Sequence, residues 1–201
     1  GLKQLSGLDV VSKQDIEGAL HKIKKFKDQD MVGSTTHLSV IDKENNVASV
    51  TTTNGVGAGF TVPGTGIMPN NMLGEKHLNI NGFHNWKSQQ RIPSNICPTL
   101  IVDKNNNLTT LGSAGSSRII SATMSVISNL LNNEMSLKRS ISKSRIHLEG
   151  DTLHCEPSDG HPEYKTENVV IWEAKNMYFG GVNACSSFDS VGDERRSGVS
   201  V

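Results

Sequence analysis

The strongest constraint on the fold of this chain is a pair of β-rich runs joined by an Asn-Asn turn. Residues 36–42 alternate His37, Ser39 and Ile41 against Leu38, Val40 and Asp42, and Val47 to Thr53 resumes beyond Asn45-Asn46. A period of two puts alternate side chains on opposite faces, and Asn tolerates a tight turn, so the pattern predicts a β-hairpin. A further hairpin is predicted over 99–111, where Thr99–Val102 and Leu108–Leu111 flank Asn105-Asn106-Asn107. Gly112-Ser113-Ala114-Gly115 then reads as a glycine turn. Ser116 to Asn132 is the clearest helix, with Ile119, Ile120, Thr123, Val126, Ile127, Leu130 and Leu131 on one face. A strand, a turn and a helix start in succession present backbone N–H groups to negative charge. Between the hairpins, seven glycines fall from Gly55 to Gly82, with Pro63 and Pro69 among them. Such a stretch is loop, and loops carry function. The last sixty residues give short β runs at 169–172, 177–179 and 198–201.

Composition narrows the classes. The 201 residues suit one domain or two small ones. Twenty Lys and Arg balance twenty Asp and Glu, so no basic surplus invites nucleic acid or an anionic membrane. No apolar run approaches the roughly 18 residues of a membrane span, and no charged run followed by an apolar run resembles a signal peptide. Ser12-Lys13-Gln14-Asp15 resembles a capping box, and Ile16, Ala19, Leu20, Ile23 and Phe26 recur at helical spacing, predicting a helix within 8–34. Its other face, with Lys22, Lys24, Lys25 and Lys27, reads as solvated. Cys97, Cys155 and Cys185 are an odd number with no CxxC, which excludes a disulfide framework but leaves one bridge open. His147, His154, Cys155 and His161 cluster, but their spacing matches no common zinc pattern; edge-strand and surface roles are the plainer reading. GxSxG, GxxxxGK[ST], HExxH and GxGxxG are all absent.

The ordered segments GSTTHLSVIDKENN, ASVTTTNG, VPGTGIMPNNMLGE, RIPSNICPTLIV, LGSAGSSRII, SRIHLEG and GDERRSG span residues 33–198. This series resembles the small subunit of the gamma-glutamyltransferase (gamma-glutamyl transpeptidase) family, over residues 33–201. NNMLGE followed by Asn81-Gly82-Phe83-His84 is similar to the archaeal and bacterial gamma-glutamyltransferase-related branch. The resemblance implies an α+β chain forming the small-subunit half of a four-layer αββα N-terminal-nucleophile hydrolase fold. It also implies autocatalytic cleavage at Ser34–Thr35. Residues 1–34 would end the large subunit, and 35–201 would be the small catalytic subunit. The implied partners are the large subunit of the same precursor, in a heterodimer or higher oligomer, and a gamma-glutamyl or related acyl-amide small molecule. No nucleic acid, no membrane insertion by this chain, no metal and no organic cofactor are implied.

The implied nucleophile is Thr35. A Thr hydroxyl needs a base, and a new N-terminal α-amine, with a reference pKa of about 7.7–8.0, supplies one from the same residue. Thr53, matching the family's second Thr, is implied to hold the nucleophile; the alternative is that Thr51–Thr53 are only β-formers. Gly115 and Ser116 match the Gly-Gly pair whose N–H groups form the oxyanion hole, although Ser116 also suits an ordinary helix cap. Asn54, Glu75, Ser94 and Asn95 fall at implied substrate-binding positions. There the match loosens. Met72 replaces a polar residue beside the donor ammonium, Glu75 is one methylene longer than expected, and Asn95 stands for Ser. An Arg for the donor α-carboxylate belongs to the large subunit in the family. Other readings of the same motifs are an acylase for non-glutamyl amides such as glutaryl amides, and a catalytically silent relative or binding protein that keeps the fold.

Overall fold

The computed structural model describes residues 34–158 and 168–201. The helix expected within 8–34, and His161, lie outside the described residues. Both hairpins form where the alternation places them. Strand β1 (Thr35–Ile41) pairs antiparallel with β2 (Val47–Thr53), from Thr35 opposite Thr53 to Ile41 opposite Val47. Strand β3 (Thr99–Val102) pairs with β4 (Leu108–Ala114). Their turns are built alike. Asp42 Oδ1 accepts from the Glu44 and Asn46 amides at 2.9 and 2.8 Å, and Oδ2 from Asn46 Nδ2 at 2.8 Å. Asp103 repeats this with the Asn105 and Asn107 amides at 2.7 and 2.8 Å and Asn107 Nδ2 at 2.9 Å. Asn45 and Asn106 take the left-handed backbone, at φ 65° and 62°. The asparagine bonds, foremost among the causes, hold both Asp carboxyls below the usual carboxylate range.

Residues 112–114 correct the sequence expectation. They continue β4 rather than turn, because each pairs with β8 (Gly181–Ser186), from Gly112 opposite Asn183 to Ala114 opposite Gly181. The small side chains mark crowding inside a sheet. Helix α1 (Arg118–Leu131) therefore begins two residues later than expected, after a turn at 115–117. The sheet runs in the order β3-β4-β8-β9, with β9 at Ser190–Val191. Strands β5 (Ile146–Glu149), β6 (Thr152–Cys155) and β7 (Val169–Ile171) form a separate sheet, with β6 and β7 parallel. The strand expected at 177–179 is a 3-10 turn, capped where the Tyr178 amide donates to Asn176 Oδ1 at 2.9 Å. The strand expected at 198–201 is irregular; Gly198 instead folds back on Asp193, its amide donating to Asp193 O at 2.9 Å.

The β1-β2 hairpin and the four-stranded sheet pack face to face, and α1 and α2 (Leu137–Ser142) cover the other side of the sheet. Leu111, Ala122, Val126, Leu137, Ile141, Val182 and Ala184 form the apolar core between sheet and helices. Behind it lies a buried network of two Arg and two acids. Arg145 donates to Asp193 at 2.6 Å, and Arg195 donates to Glu156 at 2.6 Å and to Asp193 at 3.2 Å. Two cations matched by two anions, with further bonds from Arg145 to Gly180 O and from Arg195 to Lys143 O, offset the cost of burying charge.

His37 joins the hairpin to the sheet. Its side chain is buried, with Nδ1 2.7 Å from Thr51 Oγ1 and Nε2 2.8 Å from Ser39 Oγ. The ring fills the space above Gly112, where a Cβ would come within 2.3 Å of it. Asn183 Nδ2 donates to His37 O at 3.1 Å, tying β1 to β8. Burial lowers the imidazole pKa to about 4, so the folded protein holds it neutral where the unfolded chain takes up a proton. Because the unfolded state binds more protons between about pH 4 and 6.5, stability falls as pH drops through that window. We expect His37 to account for up to roughly 3 kcal/mol of that loss, and His37→Gln to flatten the slope of denaturant midpoint against pH between 6.5 and 4. An unchanged slope in the variant would remove His37 from the explanation.

Candidate active site

The hairpin register brings Thr35 and Thr53 together across the first residue pair of β1 and β2. Their hydroxyl oxygens are 2.9 Å apart. Thr53 Oγ1 also accepts the Gly55 N–H at 2.9 Å, which fixes its rotamer and leaves its own proton for one further bond. Gly55 has φ 63°, and a Cβ there would sit 2.6 Å from Asn71 O, so the chain can turn here only with glycine. Gly55 O in turn accepts both the Ser34 amide and the Ser34 hydroxyl at 3.1 Å. The residues on either side of the Ser34–Thr35 bond are thus held by one loop.

Thr35 and Thr53 line a pocket with Met72, Glu75, His77, Leu78, Ser94, Asn95, Ile96, Ser116 and Ile119. Residues more than eighty positions apart therefore converge on one site, and most of the residues singled out in the sequence are among them. Asn54 and Gly115 are not lining residues. The Asn54 carbonyl accepts the Gly57 and Asn71 amides, which makes it a brace of the glycine loop. Ser94 Oγ accepts the Ile96 amide at 3.1 Å, shaping the turn that carries Asn95. His77 was not singled out in the sequence. Its Nδ1 lies 3.5 Å from Glu75 Oε2 and 3.5 Å from Ser116 Oγ. The available signal was two ionisable residues two apart in a glycine-rich loop.

Glu75 is 6% exposed, and Ser116 Oγ donates to its Oε2 at 2.5 Å. Its segment is braced by Asn79, whose Nδ2 donates to Glu75 O at 2.8 Å and to Leu73 O at 2.9 Å, while Trp86 Nε1 donates to Asn79 Oδ1 at 2.9 Å. Ser116 has φ 58° and Gly115 φ 138°. A left-handed L-residue costs about 1–2 kcal/mol relative to glycine, and the hydroxyl bond to Glu75 offsets it. The N-cap of α1 is Ser117, without a side-chain cap bond. Among the described residues neither the Gly115 nor the Ser116 N–H makes a hydrogen bond. Two unsatisfied amides at a helix entry can take an oxyanion. Gly180 backs the loop: a Cβ on Gly115 would lie 2.7 Å from Gly180 Cα, and Arg145 holds Gly180 O at 3.0 Å.

The histidine cluster has other partners. His147 bridges Ser121 Oγ at 2.8 Å and Glu149 Oε2 at 2.9 Å, and Trp172 Nε1 donates to His154 Nδ1 at 3.3 Å. Among the described residues no group of three or more His, Cys, Asp or Glu could hold a metal, and no helix is long and apolar enough to cross a membrane. The three cysteines are free thiols in this structure.

The gamma-glutamyltranspeptidase family model matches residues 8–186. The chain belongs to that family. It is 28% identical to the glutathione hydrolase proenzyme of Bacillus subtilis strain 168, over 99% of this chain and 37% of that protein. It is 31% identical to the acylase ACY 1 proenzyme of Pseudomonas sp. strain SE83, over 75% of this chain and 28% of that one. The chain thus spans between a quarter and two fifths of the length of these relatives. A mutant gamma-glutamyltranspeptidase from Helicobacter pylori superposes with a TM-score of 0.63 at 27% identity, over 80% of this chain and 99% of that one. The fold is accordingly the small-subunit half of the αββα N-terminal-nucleophile hydrolase architecture, and the hairpin, sheet and helices are its layers here.

The 2.9 Å contact makes Thr53 a test of the site. If this pair is the reacting centre, Thr53→Ala in the full-length protein slows amide turnover about tenfold, the worth of one hydrogen bond, while lowering stability by under about 1 kcal/mol. Wild-type turnover in processed Thr53→Ala protein would make Thr53 a strand former only.

Proposed function

We propose that the protein containing this chain is a gamma-glutamyl-type amide hydrolase or acyltransferase whose nucleophile is Thr35, generated by its own cleavage at Ser34–Thr35. The observation that carries this reading is the Thr35–Thr53 hydroxyl pair on the wall of a pocket that also contains Glu75 and Ser116. In the precursor, Thr35 Oγ1 attacks the Ser34 carbonyl carbon. The C–N bond breaks, the nitrogen takes the proton given up by the hydroxyl, and an ester remains. Water hydrolyses that ester. Residues 1–34 become the end of the large subunit, and Thr35 gains a free α-amine.

In turnover that amine takes the proton of Thr35 Oγ1 as the oxygen attacks the donor amide. The Gly115 and Ser116 amides stabilise the oxyanion, a contribution of about 3 kcal/mol per donor in comparable sites. The leaving amine departs with the proton, and water or an acceptor amine resolves the ester. Glu75, Ser94 and Asn95 bind the acyl part of the donor. No metal or organic cofactor enters these steps. The large subunit covers the outer face of the β1-β2 hairpin. Leu38, Val40 and Val50 share that face and are 58%, 42% and 51% exposed, an apolar patch of the kind that marks an interaction surface. One observation favours a broader donor range than glutamyl amides: Met72 lines the pocket and offers a thioether where an ammonium needs an acceptor. The relative named as an acylase proenzyme fits that range.

Two outcomes follow. Thr35→Ala should leave a single uncut chain without activity, seen by mass and N-terminal sequence; normal processing in that variant would sink the cleavage claim. In the processed wild type, kcat/KM for gamma-glutamyl-p-nitroanilide over glutaryl-p-nitroanilide should stay below about a thousandfold, and Met72→Glu should raise it by roughly ten- to a hundredfold, the worth of a bond to a charged group. A wild-type ratio beyond that limit would mean that other residues hold the ammonium and that Met72 does not set the donor range.

A further inference from the structure

Ser116 has two properties that one role explains. It takes a left-handed backbone that a side chain disfavours, and its hydroxyl donates to Glu75 Oε2 at 2.5 Å. Glu75 is the only acid among the lining residues, and it is almost fully buried. A buried glutamate side chain has three rotatable bonds and no fixed aim unless something holds it. Asn79 fixes its backbone carbonyl but not its carboxylate. The carboxylate is met at one oxygen, by the Ser116 hydroxyl at 2.5 Å and by His77 Nδ1 at 3.5 Å. A carboxylate accepts at both oxygens, so a bond at Oε2 leaves Oε1 for a ligand.

We propose that the Ser116 side chain is a specificity-determining positioning residue: by binding Glu75 Oε2 it aims Oε1 at the cationic group of the acyl donor. The same residue carries one of the two oxyanion amides, so the group that recognises the donor and the loop that receives its developing charge are joined through one side chain. This inference rests on the proposed function in taking the pocket as the donor site. It assigns the hydroxyl of Ser116 a role separate from its N–H. Ser116 does not touch the donor ammonium; it acts through Glu75.

Ser116→Gly suits the test, because glycine accepts φ 58° without strain and the variant should fold. Calorimetric binding of L-glutamate and of glutarate to the full-length protein compares the same diacid with and without its ammonium, and it requires no turnover. Wild type should bind glutamate about tenfold more tightly than glutarate. Ser116→Gly should reduce that ratio at least threefold, Glu75→Gln should bring it near one, and the double variant should match Glu75→Gln alone. Ser116→Ala should lower the ratio as Ser116→Gly does, which separates the hydroxyl from backbone strain. A Ser116→Gly ratio within twofold of wild type, or no binding of either diacid by the wild type, overturns the proposal. Anilide turnover that survives Thr35→Ala would overturn the nucleophile instead and leave the binding ratios to stand on their own.

Discussion

The imidazole of His37 lies where the opposing strand has no side chain, and the geometry of the site follows from that fit. The ring fills the space above Gly112, and its nitrogens are satisfied by Thr51 and Ser39 on its own hairpin. A slip of one residue in β1 would turn His37 to the outer face and put Leu38 against Gly112. The register that seats His37 is the register that sets Thr35 opposite Thr53. A neutral buried ring, two residues from the proposed nucleophile, therefore locks its alignment without adding charge beside it.

The second support is electrostatic and more distant. Arg145, Glu156, Asp193 and Arg195 come from the segment before β5, the residue just past β6 and the turn after β9. They converge behind Gly180, which presses on Gly115. Breaking one member would leave a buried charge unpaired, typically a loss of about 3–5 kcal/mol, and would release the backing of the loop that carries the free amides. The segment GDERRSG thus shapes a site that none of its side chains lines.

Much of this was legible in the sequence, for physical reasons that differ by element. The hairpins were readable because period-two alternation and asparagine turns are local signals. The start of α1 was misplaced because Gly112, Ser113 and Ala114 look like turn residues, whereas their smallness answers a neighbour strand some seventy residues away. Met177-Tyr178-Phe179 has strand-forming side chains, but the Asn176 cap and the turn at Gly180 bend it into a 3-10 turn. Thr35, Thr53, Glu75, Ser94, Asn95 and Ser116 were identified through a motif series and meet in one pocket. His77 belongs to no motif; it stands two residues from Glu75, and only the fold brings it to Ser116. The Ser116 hydroxyl suits a helix cap in the sequence, but the cap position falls on Ser117 and the fold turns this hydroxyl to Glu75.

The twin turns at Asp42 and Asp103 have a consequence for the chain as it leaves the ribosome. Each closes its hairpin with bonds spanning four residues or fewer, and hairpins of this kind form in about 1–10 μs, far faster than residues are added. Thr35 and Thr53 can meet once β2 is made. The loop at Gly115 takes its shape only when β8 and the turn at Asp193 have emerged, nearly eighty residues later. The hydroxyl pair is thus assembled early, and the loop that carries the Gly115 and Ser116 amides late. Synthesis order therefore sets the two hydroxyls side by side before the amides proposed to take the oxyanion are in place.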